Sequence, residues 1–378
     1  MIKTGLDTVV HQASDLLRGR RIGLVTHPAA VLPDLVSSPA ALLVAGVRVG
    51  TLFGMEHGFG GGAADGAAVG HGRDAPTGLP VYSLYGTARK PTREMLHGLD
   101  LLVFDAQDVG VRFYTYISTL YYVLQAAAEA GLPVLVLDRP NPITGIAVEG
   151  PVTKPGCESF VGIAPIPIRY ALTPGELAGY LNQELGMGAD LAVIPLQGWR
   201  RSMWFDETGL PWVPTSPAMP HLSTAIVYPG TCLIEATNVS EGRGTTLPFE
   251  QIGAPWIDEH ALAAALNATG VPGVRFRPAI FTPAASKYAG EECRGVQIHV
   301  TDRTALPAVT LGLHLLAVLR CLYPARFSWD DARLDRLAGD PAVRLQLADG
   351  VDVEAIVRGW APEIDAFCKR REKHLLYR

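Results

Sequence analysis

The chain has 378 residues and a formal net charge of −5, from 32 Lys and Arg against 37 Asp and Glu. That length suits two domains. The acidic balance, with no basic stripe, argues against a generic binder of nucleic acid or anionic membrane. Apolar residues make up 48% and charged residues 18%, so the chain can bury a large core and lacks the composition of disorder.

Five cysteines, Cys157, Cys232, Cys293, Cys321 and Cys368, are widely spaced and form no CxxC. Neither a disulfide framework nor a structural zinc site is expected from such spacing. The first twenty residues hold no apolar segment, so no signal peptide is visible and a cytoplasmic location is expected. The longest apolar stretch, 306–319, carries His314 and is shorter than the roughly 20 residues a bilayer needs. It reads as a core helix, with no membrane partner.

Along the first half, short Val/Leu/Ile runs end in polar clusters. Strands are expected at 20–28, ending on Thr26 and His27, and at 47–58, ending on Glu56 and His57. Others are expected at 79–86, at 99–108 with Asp105, Gln107 and Asp108, at 132–142 with Asp138, Arg139 and Asn141, and at 190–196. Between them, 119–131 reads as a helix stopped by Gly131, and 173–186 as one with Thr173 as N-cap and Pro174 next. Apolar strands alternating with helices predict a Rossmann-like, doubly wound, mainly parallel α/β sheet. From about residue 223 the order changes. Strands are expected over 224–236, 274–283 and 293–302, then helices near 306–322 and 351–371. This predicts an α/β domain over 1–222 and a smaller α+β domain over 223–378, joined through the Pro-rich stretch 210–220.

Ligands of open parallel sheets bind beyond the carboxyl ends of the strands. Four polar clusters at those ends therefore point to one cleft, although any single cluster could equally cap a helix or close a turn. The glycine-rich loop 58–74 follows the second strand rather than the first and opens after Glu-His. That fits a flap over a cleft better than a dinucleotide fingerprint. The segment 107–119 packs Asp108, Arg112, Tyr114, Thr115 and Tyr116 together, and a buried Arg112 would call for a carboxylate or bound anion. The segment 237–250 sets Asn238, Glu241 and Arg243 around glycines, as a polar-ligand loop would. No HExxH, HxH, GxSxG or Walker A pattern occurs, so no metal and no cofactor are expected. A cleft of carboxylates, amides, Arg and Tyr fits sugar hydrolysis by paired acids, and it fits a non-catalytic sugar or anion receptor as well.

Longer blocks carry a resemblance: EHG (56–58), LLVFDAQDVGVRFYTYISTL (101–120), VLDRPNPITG (136–145) and YPGTCLIEATNVSEGRGTTLPFEQIGAPWID (228–258). Together with shorter blocks that extend over nearly the whole chain, they resemble the bacterial exo-β-N-acetylmuramidase family of NamZ-type glycoside hydrolases. The resemblance implies a Rossmann-like domain, a C-terminal auxiliary domain and a cleft between them. It also implies release of N-acetylmuramic acid from the non-reducing end of peptidoglycan fragments, so peptidoglycan-derived saccharides are the expected partners. Carried over by motif, Glu56 is the implied catalytic acid/base, with Asp105 and Glu241 as further catalytic carboxylates. His57, Asp108, Arg112, Tyr114, Asp138, Arg139, Asn141, Asn238 and Arg243 are implied substrate-binding residues. Arg139 and Arg243, with Arg112 behind them, are the candidates for the lactyl carboxylate. Two positions depart from the family pattern: Gly60 and Ala218 stand where it has Arg and Asn. A cell-wall sugar receptor on the same fold is the alternative they leave open.

Overall fold

A computed structural model describes residues 1–12 and 14–378. Seven strands form the main sheet: β1 (Arg21–Thr26), β2 (Arg48–Gly54), β3 (Gly72–Arg73), β4 (Pro80–Ser83), β5 (Leu101–Asp105), β6 (Val134–Leu137) and β7 (Leu191–Ile194). Their order is β3-β4-β2-β1-β5-β6-β7, and every pairing is parallel except that of β3 with β4. The chain winds outward from β1 to β4 and then returns to place β5 beside β1. The switch point therefore lies between β1 and β5, where Thr26 pairs with Asp105.

The two-residue period of a strand divides the core between the sheet faces. Leu24, Leu52, Val103 and Leu137 enter one apolar cluster. Their neighbours Val25, Phe53, Leu102, Phe104 and Val136 enter the other, which continues without a break into Phe276, Leu315 and Phe367 of the second domain. Two of the helices between strands start or stop where local chemistry dictates. The helix Tyr116–Ala130 ends at Gly131 with φ 65°, a left-handed conformation that glycine adopts without a Cβ clash. The helix Pro174–Glu184 opens with a complete capping box between Thr173 and Glu176.

The second domain carries an antiparallel sheet in the order β8-β10-β9, from β8 (Gln251–Ala254), β9 (Val274–Phe281) and β10 (Cys293–Val300). Helices Glu259–Ala268 and Ala308–Leu322 pack nearby. The stretch expected as a strand over 224–236 is instead the helix Leu222–Thr231 followed by the 3-10 turn Cys232–Ala236. Its Ile, Val and Tyr favour strands, but tertiary packing decides. Gly230 lies against Gly312 of the helix Ala308–Leu322, so closely that a Cβ on Gly230 would sit 1.9 Å from the Ala308 carbonyl oxygen. The single helix expected over 351–371 is two, Val353–Gly359 and Ala361–Arg371, with Trp360 at the junction and a proline opening the second. The tail returns to the first domain, where the Tyr377 hydroxyl donates to Asp138 at 2.5 Å. Among the described residues no helix is long and apolar enough to cross a membrane, and all five cysteines are free thiols.

Candidate active site

Beyond the end of β2, Met55 is buried and the chain turns sharply, with the Gly58 amide donating to the Met55 carbonyl. His57 sits at the turn with φ 69°, a left-handed geometry that costs a non-glycine residue about 1–3 kcal/mol and clusters at functional sites. Its ring Nδ1 lies 2.9 Å from the Ala63 carbonyl. This turn presents Glu56, half-buried, on the wall of a cavity of about 450 Å³. The Thr115 hydroxyl donates to Glu56 Oε2 at 2.5 Å, and the Gly66 amide donates to Oε1 at 3.1 Å. Thr115 is the N-cap position of the helix Tyr116–Ala130 but does not cap it with its side chain. Its hydroxyl is directed to Glu56 instead.

Both domains build the cavity. Tyr85, Arg89 and the turn 159–161 come from the first, while Glu235, Arg243, Phe249, Arg333 and Arg336 come from the second. Arg243 lies at their junction. It pairs with Asp65 of the glycine-rich loop, with Glu235 at 2.6 Å and with Glu241 at 3.4 Å, and its guanidinium covers the Phe249 ring. The loop expected as a flap is thus tied to the second domain through Asp65 and to Glu56 through Gly66. Burial and the neighbouring Glu56 carboxylate push the Tyr85 phenol up to about 12, so it is protonated and able to donate.

Of the residues expected from sequence, Glu56, His57, Tyr114 and Arg243 line this cavity. Glu241 lies just behind the wall, 3.0 Å from Lys287. The others are held elsewhere by bonds of their own. Asp105, expected to be catalytic, is fully buried in a two-point ion pair with Arg139, at 2.5 and 3.1 Å. Arg139 also donates to the Val31 carbonyl. Asp138 accepts from the Gly175 amide, the Thr173 hydroxyl and Tyr377, and so anchors the helix Pro174–Glu184. Asn141 bridges the Leu172 carbonyl and the Ile143 amide, and Asn238 bridges the Arg326 carbonyl and the Ser328 amide. Asp108 accepts from the Tyr170 hydroxyl and the Gly110 amide. Burial raises it to about 6, partly offset by those donors.

Arg112 departs most from expectation, for among the described residues its partners are backbone carbonyls rather than a carboxylate. Fully buried, it donates to four backbone carbonyls: Pro151 at 2.7 Å, Ile166 at 2.9 Å, Leu337 at 2.8 Å and Ala338 at 2.7 Å. The last two close the helix Asp331–Ala338, whose final carbonyls have no partner within the helix. A guanidinium there also meets the negative end of the helix dipole.

Sequence reasoning missed Tyr85, Arg89, Glu235, Arg333 and Arg336 as wall residues. Arg333 and Arg336 are spaced three apart on one helix, which in sequence is indistinguishable from an ordinary solvated face. The two departures from the family pattern differ in weight: Ala218 lines the cavity, whereas nothing lies within 4 Å of where a Cβ on Gly60 would stand. Among the described residues no group of three or more His, Cys, Asp or Glu side chains is arranged to hold a metal ion.

The NamZ N-terminal family model matches residues 22–223 and the C-terminal model residues 226–377, both described as exo-β-N-acetylmuramidase NamZ. The peptidoglycan β-N-acetylmuramidase NamZ of Bacillus subtilis (strain 168) is 47% identical over 378 residues, covering 100% of this chain and 91% of that protein. Two crystal structures of DUF1343 family proteins from Bacteroides fragilis NCTC 9343 superpose on the whole chain and on 99% of each of theirs. Their TM-scores are 0.93 and 0.83, at 37% and 28% identity. On the two family models and the full-length relative, this chain belongs to the NamZ exo-β-N-acetylmuramidase family.

Proposed function

We propose that this protein is an exo-acting glycoside hydrolase that releases N-acetylmuramic acid from the non-reducing end of peptidoglycan fragments, with Glu56 as its catalytic acid/base. One observation carries the assignment of Glu56. It is a carboxylate on the wall of a two-domain cavity, with both oxygens held, one by Thr115 and one by Gly66. A glycosidic bond breaks through an oxocarbenium-like transition state, and the leaving oxygen must gain a proton. Glu56 donates it as the bond to the anomeric carbon breaks. Water then adds at that carbon, and its surplus proton passes to a carboxylate base.

For the second carboxylate, the cavity favours Asp65 and Glu235, which line it, over Glu241 behind the wall and Asp105 in its ion pair. A cavity of about 450 Å³ lies in the range that holds a small ligand such as one sugar residue. We place the division between the two domains at residues 222 and 223, a reading supported by the extents of the two family models.

Ala218 in the wall favours the second reading, a sugar receptor that has lost turnover. The disaccharide of N-acetylmuramic acid linked to N-acetylglucosamine separates the two. Equimolar release of both monosaccharides, followed by mass spectrometry, is the expected result. Calorimetric binding without turnover would establish the receptor instead, and neither binding nor turnover would end the muramide reading.

A further inference from the structure

Seven charged side chains line the cavity besides His57: the carboxylates of Glu56, Asp65 and Glu235, and the guanidinium groups of Arg89, Arg243, Arg333 and Arg336. A chain that is acidic overall thus gathers a cationic excess here. The pairing within the cavity is uneven. Arg243 is saturated by Asp65, Glu235 and Glu241, and Arg333 is held by Glu235 at 2.8 Å. Among the described residues, no carboxylate pairs with Arg89 or Arg336. Arg89 is held, among the described residues, by aromatic faces, 4.3 Å from the Phe160 ring centroid and 5.5 Å from that of Tyr85. Arg336 follows on the helix Asp331–Ala338, where its backbone borders Gly162 at the end of the same 159–162 turn.

We propose that Arg89 and Arg336 are the specificity-determining residues of this cavity, reading a carboxylate on the sugar. If the muramidase reading holds, that carboxylate is the lactyl group, the feature that separates N-acetylmuramic acid from N-acetylglucosamine. This moves the role away from Arg112, whose terminal nitrogens hold four carbonyls in the core, and from Arg139 and Arg243, which are ion-paired. A guanidinium whose polar edge is free offers a planar fork that matches a carboxylate. The aromatic faces beneath Arg89 orient it without competing for those donors. Tyr85 also connects this edge to the catalytic wall, because its phenol feels the Glu56 carboxylate.

The test uses the full chain and two probes, an aryl N-acetylmuramide with a free lactyl carboxylate and the same compound as its lactyl amide. Arg89→Gln and Arg336→Gln are each expected to lower the acid-to-amide ratio of kcat/KM by about 10-fold to 100-fold, mainly through KM. Arg→Lys variants should recover part of that ratio, and added salt should lower it in the wild type. Calorimetry with N-acetylmuramic acid and its amide gives the same ratio as Kd values, without requiring turnover. A wild type that binds the acid preferentially but cleaves nothing leaves this inference standing and overturns the hydrolase reading. A double variant that keeps the wild-type ratio in both measurements overturns the inference. Because neither arginine has a carboxylate partner to lose, both variants should keep the wild-type Tm.

Discussion

Replacing Arg112 with Met tests whether this cation joins the domains rather than binding substrate. Met keeps much of the aliphatic length but removes donors from four carbonyls, two of them at the end of a second-domain helix. Gly339, with φ 73°, leaves room for the guanidinium, since a Cβ there would lie 2.6 Å from Arg112 Nη2. Burial pulls the guanidinium down to about 9, so it is still protonated at neutral pH. The Ile166 carbonyl keeps the Thr153 amide at 3.4 Å, so three carbonyls are orphaned at about 1–3 kcal/mol each, and the several kcal/mol recovered by not burying an ion leave a net loss of about 2–4 kcal/mol. Urea unfolding followed by tryptophan fluorescence measures it. Arg112→Lys should lie between wild type and Met, with an unchanged KM at a temperature where it remains folded. An unshifted unfolding midpoint for the Met variant, or a Lys variant of full stability and raised KM, would refute the joining role and restore Arg112 as a substrate contact.

Thr115→Val removes the hydroxyl that holds Glu56 Oε2 and should lower kcat about tenfold or more with little change in Tm. An unchanged kcat would show that this bond positions nothing. His27 accepts the Gln107 amide at its Nε2. Burial, then the Arg139 charge, then His57 lower its pKa from 6.5 to about 3. A depressed folded pKa means that its stabilisation is complete above pH 6.5 and is lost as pH falls towards 3, at about 1.4 kcal/mol per unit. His27→Gln should therefore flatten the stability curve between pH 6.5 and 4, and parallel curves for variant and wild type would contradict the assignment. Gly230→Ala forces a Cβ onto the Ala308 carbonyl and should destabilise by about 1–3 kcal/mol, read from the urea midpoint. A variant as stable as wild type would mean that the two helices can separate there at no cost.

The central strands of the main sheet were legible because residues buried on both faces leave unbroken Val, Leu and Ile runs, as in Leu101–Asp105, whereas the exposed two-residue strand Gly72–Arg73, inside the loop read as 58–74, was not. The helix ends were legible at Thr173 and Gly131 because capping is local chemistry. The helix Leu222–Thr231 was not, since its Ile, Val and Tyr prefer strands and its close crossing at Gly230 is with Gly312, far away in sequence. At the site, four polar clusters were read at strand ends, and only one of them, Glu56 with His57, reaches the cavity wall. That reading could not tell a carboxylate facing solvent from one already satisfied inside. Asp105 and Asp138 stand at the ends of β5 and β6 as read, yet Arg139 and the Thr173 turn hold them. Glu235 stands within the 228–258 block but on a stretch read as a strand, Arg333 carries no motif of its own, and the packing of the second domain brings both to the cavity wall.

The central claim is that Glu56 supplies the proton to the leaving oxygen. Glu56→Gln preserves the shape and removes the acid. On an unactivated disaccharide its kcat should fall by about 10²–10⁴-fold, with Kd for the sugar unchanged. On an aryl glycoside whose leaving group needs little protonation the fall should be much smaller. A folded Gln variant that cleaves the disaccharide at near-normal kcat would contradict the account.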